Sequence, residues 1–328
     1  MALSGTVQKV FSTGFTLKTE WSQNPDIASN TSTITCTHKL VCASGYGLYI
    51  SARSNSCIVG GVSKTFKSAA ISTAGGTTIT LGTTTHKINH NADGTASVSL
   101  STTFYPKANI AGKTVNSVTA SGTITLNTIP RASSVTCNSF YIGDSTSITI
   151  NRASTNFTHT IKYTFGNATG VIATKTSEVS IGWTPPTTFH SQIPNATSGN
   201  GTVTCETYNG DTLIGTSTAD FTAYVKQDQN LPTVTATVVD TNVSTIAVTG
   251  DSSIIVKELS KPKVTVTATP KNSATIKQTR IYFGDGSVGT NAETTFTSGV
   301  VSSKMTVSAT DSRNLTGSTT YDLTTGSK

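Results

Sequence analysis

The sequence predicts an all-β protein in which an N-terminal, jelly-roll-like β-sandwich precedes two immunoglobulin-like β-sandwiches. Three observations lead to this fold class. Apolar and polar residues alternate with a period of two in many short runs, which indicates half-buried strands. Glycine, asparagine and aspartate separate these runs at short intervals and indicate turns. Only 12% of the 328 residues are charged, and abundant threonine suits the half-exposed face of a sheet.

Residues 1–128 are predicted to form the N-terminal sandwich. Its clearest strand has one apolar-rich face, made of Ile34, Cys36, His38, Leu40 and Cys42, with Thr35, Thr37 and Lys39 on the other. Further strands are predicted at 46–51, 77–81, 97–104 and 115–126, with turns at 30–32, 60–61, 75–76 and 91–94. Short strands at this spacing are typical of a sandwich or jelly roll.

A domain boundary is predicted at Pro130, because proline removes a ladder donor and a new strand pattern follows it. Residues 129–230 form the second domain, with strands at 145–151, 158–165, 178–183, 201–208 and 212–219. Residues 231–328 form the third, with strands at 233–239, 246–248, 263–268, 276–283, 304–309 and 318–323. This number of strands is typical of immunoglobulin-like sandwiches. Similar strings at 160–166 and 275–284 suggest an internal repeat.

The cysteines are predicted to be free, mostly buried thiols. They are Cys36, Cys42, Cys57, Cys137 and Cys205, an odd number without Cys-x-x-Cys spacing, which argues against a disulfide framework or a zinc knuckle. Cys137 and Cys205 have a separation reminiscent of an immunoglobulin disulfide. The tryptophan expected soon after the first cysteine is missing, however, since Trp183 lies nearer the second. The sequence leaves open whether this pair is bonded.

No catalytic, cofactor-binding or metal-binding residue is predicted. The sequence lacks a nucleophile elbow, a phosphate loop and a His-Glu-x-x-His motif. His86 and His90 are four residues apart, which in a strand is too far to share one ion directly, so we interpret them as polar residues of a hairpin. Asp93 and Asp285 are predicted to form turns rather than calcium loops. We therefore predict a protein that is not an enzyme, although a pair of carboxylates for glycoside hydrolysis stays an alternative.

The formal net charge is +7, with a pI near 9.1. Because the lysines and arginines are scattered, we interpret this charge as an aid to solubility and expect no nucleic-acid partner. No apolar window is long enough to span a membrane, and the start resembles no signal peptide, so we expect a soluble protein made in the cytoplasm.

Some aromatic residues are of the type that a sugar-binding face uses. They are Trp21, Trp183, Tyr46, Tyr49, Tyr105 and Tyr208. For each of them core packing is the alternative, and the sequence does not select ligand-binding residues.

Several strings of the sequence together resemble a known protein family. They are residues 20–22, 27–34, 88–98, 120–123, 129–133, 157–163, 260–266, 274–276 and 307–313, of which His-Asn-Ala-Asp-Gly and Ile-Pro-Arg-Ala-Ser are the most distinctive. In these strings the chain resembles a family of siphophage virion proteins of Gram-positive hosts. This family is often labelled only as a domain of unknown function. The resemblance extends over nearly the whole chain.

The resemblance implies a bacteriophage structural protein located in the virion. We expect a component of the tail tip, fibre or baseplate that takes part in host cell-surface attachment, with a purely architectural role, such as capsid decoration or tail scaffold, as the alternative. Expected partners are other virion proteins and a host cell-wall polysaccharide or teichoic acid. The positive charge of the protein would favour an anionic polymer such as a teichoic acid. Repeated display would favour a homo-oligomer.

Overall fold

The computed structural model describes residues 3–297 and 299–326, and most of their regular structure is β-strand. The all-β prediction is therefore confirmed. The chain divides into two compact units. The first contains Met1–Ser133, Arg152–Thr158 and Glu206–Thr216, and the second contains Ser134–Asn151, His159–Cys205 and Ser217–Lys328. The predicted division into residues 1–128, 129–230 and 231–328 stays a prediction.

The first sandwich is made of two four-stranded antiparallel sheets. Its strands are β1 (Ser4–Ser12), β2 (Phe15–Asp26), β3 (Thr31–Cys42), β4 (Leu48–Ile50), β5 (Arg53–Val59), β6 (Val62–Ser68), β7 (Ile71–Thr73), β8 (Thr77–Asn89), β9 (Ser97–Phe104), β10 (Ala108–Ile110), β11 (Lys113–Val115) and β12 (Val118–Thr125). One sheet has the order β1-β2-β3-β8 and the other β12-β9-β5-β6, while β4–β7 and β10–β11 are separate pairs.

Strand β3 has the two faces that the sequence predicts. Every second residue from Ile34 to Cys42 is buried, and the core that they join includes Leu17, Leu100 and Phe104, each fully buried. Strand β8 is much longer than predicted. A register shift opposite His38 and Lys39 interrupts the alternation of inward-facing and outward-facing side chains along β8. The alternation after residue 81 is therefore out of phase with that of residues 77–81.

The turn at residues 91–94 forms as predicted, but it is not a hairpin turn. It joins β8 of one sheet to β9 of the other. Asp93 Oδ1 accepts a hydrogen bond from the Thr95 amide over 2.9 Å. Gly94 has φ +84°, and a Cβ there would lie 1.9 Å from the Ile129 carbonyl oxygen. The Ile129 amide in turn donates to the Gly94 carbonyl over 2.9 Å, which fixes this corner of the sandwich.

The second and third sandwiches follow in the chain. The second contains β13 (Ser134–Cys137), β14 (Phe140–Tyr141), β15 (Thr146–Asn151), β16 (Phe157–Phe165), β17 (Ala168–Thr176), β18 (Ser180–Trp183), β19 (Ser198–Asn209) and β20 (Thr212–Tyr224), with 3-10 helices at Thr187–Gln192 and Gln227–Gln229. The third contains β21 (Thr233–Asp240), α1 (Val243–Thr249), β22 (Ile255–Val256), β23 (Pro262–Thr269), β24 (Ile276–Phe283), β25 (Val288–Gly289), β26 (Glu293–Thr295), β27 (Lys304–Asp311), β28 (Thr316–Asp322) and β29 (Thr325–Gly326).

These two sandwiches share one strand order. The three-stranded sheets are β13-β15-β18 and β21-β23-β26, and the larger sheets contain β17-β16-β19-β20 and β25-β24-β27-β28. Strands β16 and β24, which contain the two similar strings, occupy equivalent places, and this supports the internal repeat. Each sandwich has its own hydrophobic core. The arrangement is immunoglobulin-like, as predicted.

The predicted strand at residues 246–248 is wrong, because these residues lie in helix α1. The β-branched residues there favour a strand, but both helix ends are capped. The Asn242 side chain accepts from the Ser244 amide at the start, and Gly250, at φ +69°, closes the end by donating to the Ile246 carbonyl. In the described part of the chain, no helix is long and apolar enough to cross a membrane.

Candidate functional site

Two exposed tyrosines lie side by side at an edge of the second sandwich. Strands β14 and β20 run parallel there, with Phe140 opposite Ala223 and Tyr141 opposite Tyr224. Because side chains alternate along a strand, Phe140 enters the core while both tyrosines face outward. Their side chains are 51% and 41% exposed, and the ring centroids are 5.8 Å apart at an interplanar angle of 49°.

Polar and charged side chains surround this tyrosine pair. Lys226 Nζ lies 2.6 Å from Asp144 Oδ1 and forms an ion pair with it. Both side chains are partly exposed to solvent. The turn that follows β20 adds Gln227, Asp228 and Gln229, which line a shallow depression beside Tyr141. Aromatic faces, hydrogen-bond donors and hydrogen-bond acceptors therefore meet on one open surface.

The backbone beneath the tyrosine pair is held by hydrogen bonds. The Ile142 amide donates to the Tyr224 carbonyl over 2.9 Å, and the Asp144 amide donates to the Tyr141 carbonyl over 2.9 Å. The Asn230 side chain donates to the Lys226 carbonyl over 2.7 Å. The surface is thus preformed, as ligand sites usually are.

The aromatic residues singled out from the sequence have other roles. Trp21 and Trp183 are both 8% exposed and belong to the first and second cores. Tyr46 packs edge-on against Phe15 with centroids 6.1 Å apart. Core packing, the alternative interpretation, therefore accounts for the two tryptophans, whereas Tyr46 is 36% exposed.

The remaining aromatic candidates lie at or near the surface. Tyr208 is half-buried and donates to Glu206 over 2.9 Å, and Tyr105 is also half-buried. Tyr49 is 70% exposed. The sequence analysis did not single out Tyr141 and Tyr224. The turn residues Gly143 and Asp144 follow Tyr141 closely and were an available sign that Tyr141 lies near the surface.

A second group of reactive side chains lies inside the first sandwich. Cys36 in β3, Cys57 in β5 and His86 in β8 bring their sulfur and nitrogen atoms within 4.8 Å of one another. All three are at most 1% exposed. We call these residues, together with His38, the Cys–His cluster. His38 is also fully buried, and its ring stacks on Phe66 with centroids 4.1 Å apart.

The two thiols of the Cys–His cluster differ in acidity. Hydrogen bonds from Cys36, His38 and Thr102 lower the pKa of Cys57, against the opposing effect of burial. The hydrogen bond to Cys57 and burial raise the pKa of Cys36.

The cysteines are free, as predicted. Cys137 and Cys205 are not bonded to each other. His86 and His90 have separate hydrogen-bond partners. His90 contacts Ser32 Oγ over 2.8 Å and the Gly94 carbonyl over 2.7 Å, so it fixes the turn at residues 91–94. His86 contacts the Val62 carbonyl over 3.1 Å.

A comparison of the sequence with models of known protein families identifies the family of the chain. A family model described as a siphovirus protein of unknown function (DUF859) matches residues 14–322. The chain belongs to this family. The resemblance of the sequence to siphophage proteins is thus confirmed. No match was found among curated protein sequences.

Solved structures that resemble this siphovirus protein are distant. Fibronectin(III)-like modules of Clostridium thermocellum CbhA share 17% identity, covering 58% of this chain and 94% of that one, with a TM-score of 0.22. A tetra-tandem repeat from the extending region of a large adhesion protein shares 12% identity, covering 94% and 81%, with a TM-score of 0.32. A 1.5-MDa bacterial ice-binding adhesin shares 14% identity, covering 92% and 93%, with a TM-score of 0.29. These values support no functional inference.

Proposed function

We propose that this siphovirus protein is a non-enzymatic structural component of the virion, at the tail tip, fibre or baseplate, that takes part in attachment to the host cell surface. The observation that carries the proposal is the exposed pair of Tyr141 and Tyr224. It would contact a cell-wall polysaccharide, and the repeated display of such weak sites in a homo-oligomer would raise the avidity.

The chemistry of the tyrosine pair suits a sugar polymer. Flat rings stack on the apolar faces of pyranose rings, while the phenol groups keep a polar end in water. Asp144, Lys226 and Gln227 offer acceptors and donors for hydroxyl groups within the same surface. The formal charge of +7 would attract an anionic polymer such as a teichoic acid.

Binding of the purified protein to isolated host cell walls tests the proposal. We expect the double variant Tyr141→Ala, Tyr224→Ala to bind about tenfold more weakly or worse, because it loses two stacking contacts. Tyr282→Ala is the matched control, since Tyr282 is 51% exposed like Tyr141 but lies in the third sandwich. Equal binding by wild type, double variant and control would contradict the role of the tyrosine pair.

An apolar surface patch favours the second candidate, a purely architectural role. Val243, Val248 and Leu259 are 79%, 87% and 47% exposed, and the last two line one apolar depression beside α1. Contiguous exposed apolar groups are typical of protein interfaces, and the partner would be another virion protein.

Immunogold electron microscopy of intact phage separates the two candidates. Label at the tail tip would support attachment. Label over the head would instead support capsid decoration, and an absence of label on every particle would contradict a virion role altogether.

A further inference from the structure

We propose that the Cys–His cluster is a structural zinc site, in which Cys36 Sγ, Cys57 Sγ, His86 Nε2 and His38 Nε2 hold one ion between the two sheets of the first sandwich. The proposal is independent of host attachment. It also departs from the prediction that the chain binds no metal, which rested on the spacing of residues along the sequence.

Strand register brings the four side chains together. Cys36 and His38 are alternate residues of β3 and face the same core. Cys36 pairs with Thr84 of β8, two residues before His86, so His86 points into the same layer. Cys57 comes from the opposite sheet, where it pairs with Thr102 of β9. An ion at this position would therefore join β3 and β8 to β5 through the core.

The hydrogen bonds of His38 leave its Nε2 lone pair facing the cluster. The Thr19 hydroxyl donates to Thr102 Oγ1 over 2.8 Å, and the Thr102 hydroxyl donates to Cys57 Sγ over 3.6 Å. Both hydroxyl protons are thereby used. His38 Nδ1 lies 3.1 and 3.2 Å from these two oxygens, so it must carry the proton and donate. A neutral imidazole protonated at Nδ1 has its lone pair at Nε2.

The same reasoning applies to His86. Its Nδ1 lies 3.1 Å from the Val62 carbonyl oxygen, which can only accept, so Nδ1 carries the proton and Nε2 the lone pair. A histidine that ligates a metal usually donates its other N–H to a backbone carbonyl or a similar acceptor in this way. Both imidazoles are thus held in the tautomer that a metal ligand requires.

Two imidazole acceptors share a single hydroxyl at the centre of the cluster. His38 Nε2 and His86 Nε2 each lie 3.0 Å from Thr84 Oγ1, and Cys36 also bonds to this hydroxyl. The single hydroxyl proton of Thr84 can satisfy one of these acceptors. The other imidazole is left with a thiol, which is only a weak donor, and a cation that accepts both lone pairs satisfies both imidazoles.

The ligand set and its burial indicate zinc. Two thiolates and two imidazoles form the Cys₂His₂ set of structural zinc sites, and the two negative charges balance those of Zn²⁺. With bond lengths of about 2.0–2.3 Å, tetrahedral ligands lie about 3.3–3.8 Å apart, so the ligand atoms of Cys36, Cys57 and His86, which lie within 4.8 Å of one another, need only a small closure. His38 is outside this group of three and must move further to become the fourth ligand, from a position where its Nε2 lies 3.0 Å from the same Thr84 hydroxyl as His86 Nε2. Since the four residues are at most 1% exposed, the site is closed, as structural sites are.

Metal content and cobalt substitution test the proposal on the full chain. We expect purified protein to contain about one zinc ion per chain. After removal of zinc and addition of Co²⁺, we expect thiolate-to-cobalt charge-transfer absorption and the intense visible bands of tetrahedral cobalt. A chain with neither zinc nor a cobalt spectrum would overturn the proposal. An intact mass showing a disulfide between Cys36 and Cys57 in the native protein would overturn it as well.

Matched variants separate this site from a plain polar core. Cys36→Ser and His86→Gln are expected to lose most of the bound zinc and the cobalt spectrum. Cys42→Ala is the control, because Cys42 is a buried cysteine on the same face of β3 and should keep both. If a variant fails to fold, the wild type decides, since a chelator should lower its melting temperature. An unchanged melting temperature after complete removal of zinc would contradict a structural role.

Discussion

Single residues stabilise the corners of this siphovirus protein through backbone geometry. Gly94 is the clearest example, because it combines φ +84° with a position where a Cβ would lie 1.9 Å from the Ile129 carbonyl oxygen. We expect Gly94→Ala to lower the free energy of unfolding of the first sandwich by about 2–4 kcal/mol, since left-handed strain and a backbone clash add. Urea denaturation would measure the effect.

Gly61 provides the control for this prediction. Its φ is +83°, but a Cβ there would meet nothing within 4 Å. Gly61→Ala should therefore show the backbone strain alone, about 1–2 kcal/mol. Equal losses of stability in the two variants would show that the close approach of Ile129 does not matter.

Asp240 is a buried carboxylate whose contribution to stability depends on pH. Burial raises its pKa, but donors from Thr245, Asn242, Ser260 and Lys261 outweigh burial and lower it from 3.8. Because the folded pKa lies below the unfolded value, the stabilisation is present above about pH 4 and is lost as the pH falls towards the folded pKa.

We expect Asp240→Asn to lower the free energy of unfolding by about 2–4 kcal/mol at neutral pH, because an amide cannot accept all four hydrogen bonds. The difference from wild type should shrink at pH 3, as urea denaturation at several pH values would show. Asp251→Asn is the control, since Asp251 is exposed and its Oδ1 accepts from the Ser253 amide at a turn. A difference independent of pH would contradict the assignment to charge.

Among the elements, the turn between β27 and β28 is held by one arginine. Arg313 is 3% exposed and donates to the carbonyls of His190, Ile193, Lys271 and Asn272 over 2.6–3.2 Å. These acceptors come from the 3-10 helix after β18 and from the turn after β23. The planar guanidinium matches several acceptors at once, which a lysine cannot do.

Both Arg313→Ala and Arg313→Lys are therefore expected to lower the free energy of unfolding by about 2–4 kcal/mol, because carbonyls are left without donors. Thermal denaturation of the full chain checks this expectation. Arg280→Ala is the control, since Arg280 lies on β24 of the same sandwich and is exposed. Full stability of the lysine variant would show that charge alone suffices at residue 313.

The sequence predicts those elements in which alternation runs without interruption. Strand β9 has the predicted bounds, and β3 has the predicted faces, because burial of one face of a sheet fixes the side-chain pattern. The register shift in β8 interrupts its pattern, and capping by Asn242 and Gly250 outweighs the β-branched residues of α1. These effects depend on partners that are distant in the sequence or on helix ends.

Both candidate sites depend on pairing between distant strands. Tyr141 and Tyr224 meet through the parallel pairing of β14 with β20. The Cys–His cluster needs residues of β3, β5 and β8 from two sheets. Spacing along the sequence carries no information on such a juxtaposition, so reasoning from local motifs predicted neither site.

At the scale of the whole molecule, the two compact units each contain hydrophobic cores of their own. Units with separate cores can unfold separately, so we expect calorimetry of the full chain to show two transitions. Leu100→Ala should lower only one of them, and Val307→Ala only the other, because each creates a cavity in a different core, with an expected loss of about 2–4 kcal/mol. Leu100 and Val307 are both fully buried. A single transition that both variants lower equally would show that the units unfold as one, in which case zinc binding in the first sandwich would stabilise the entire chain.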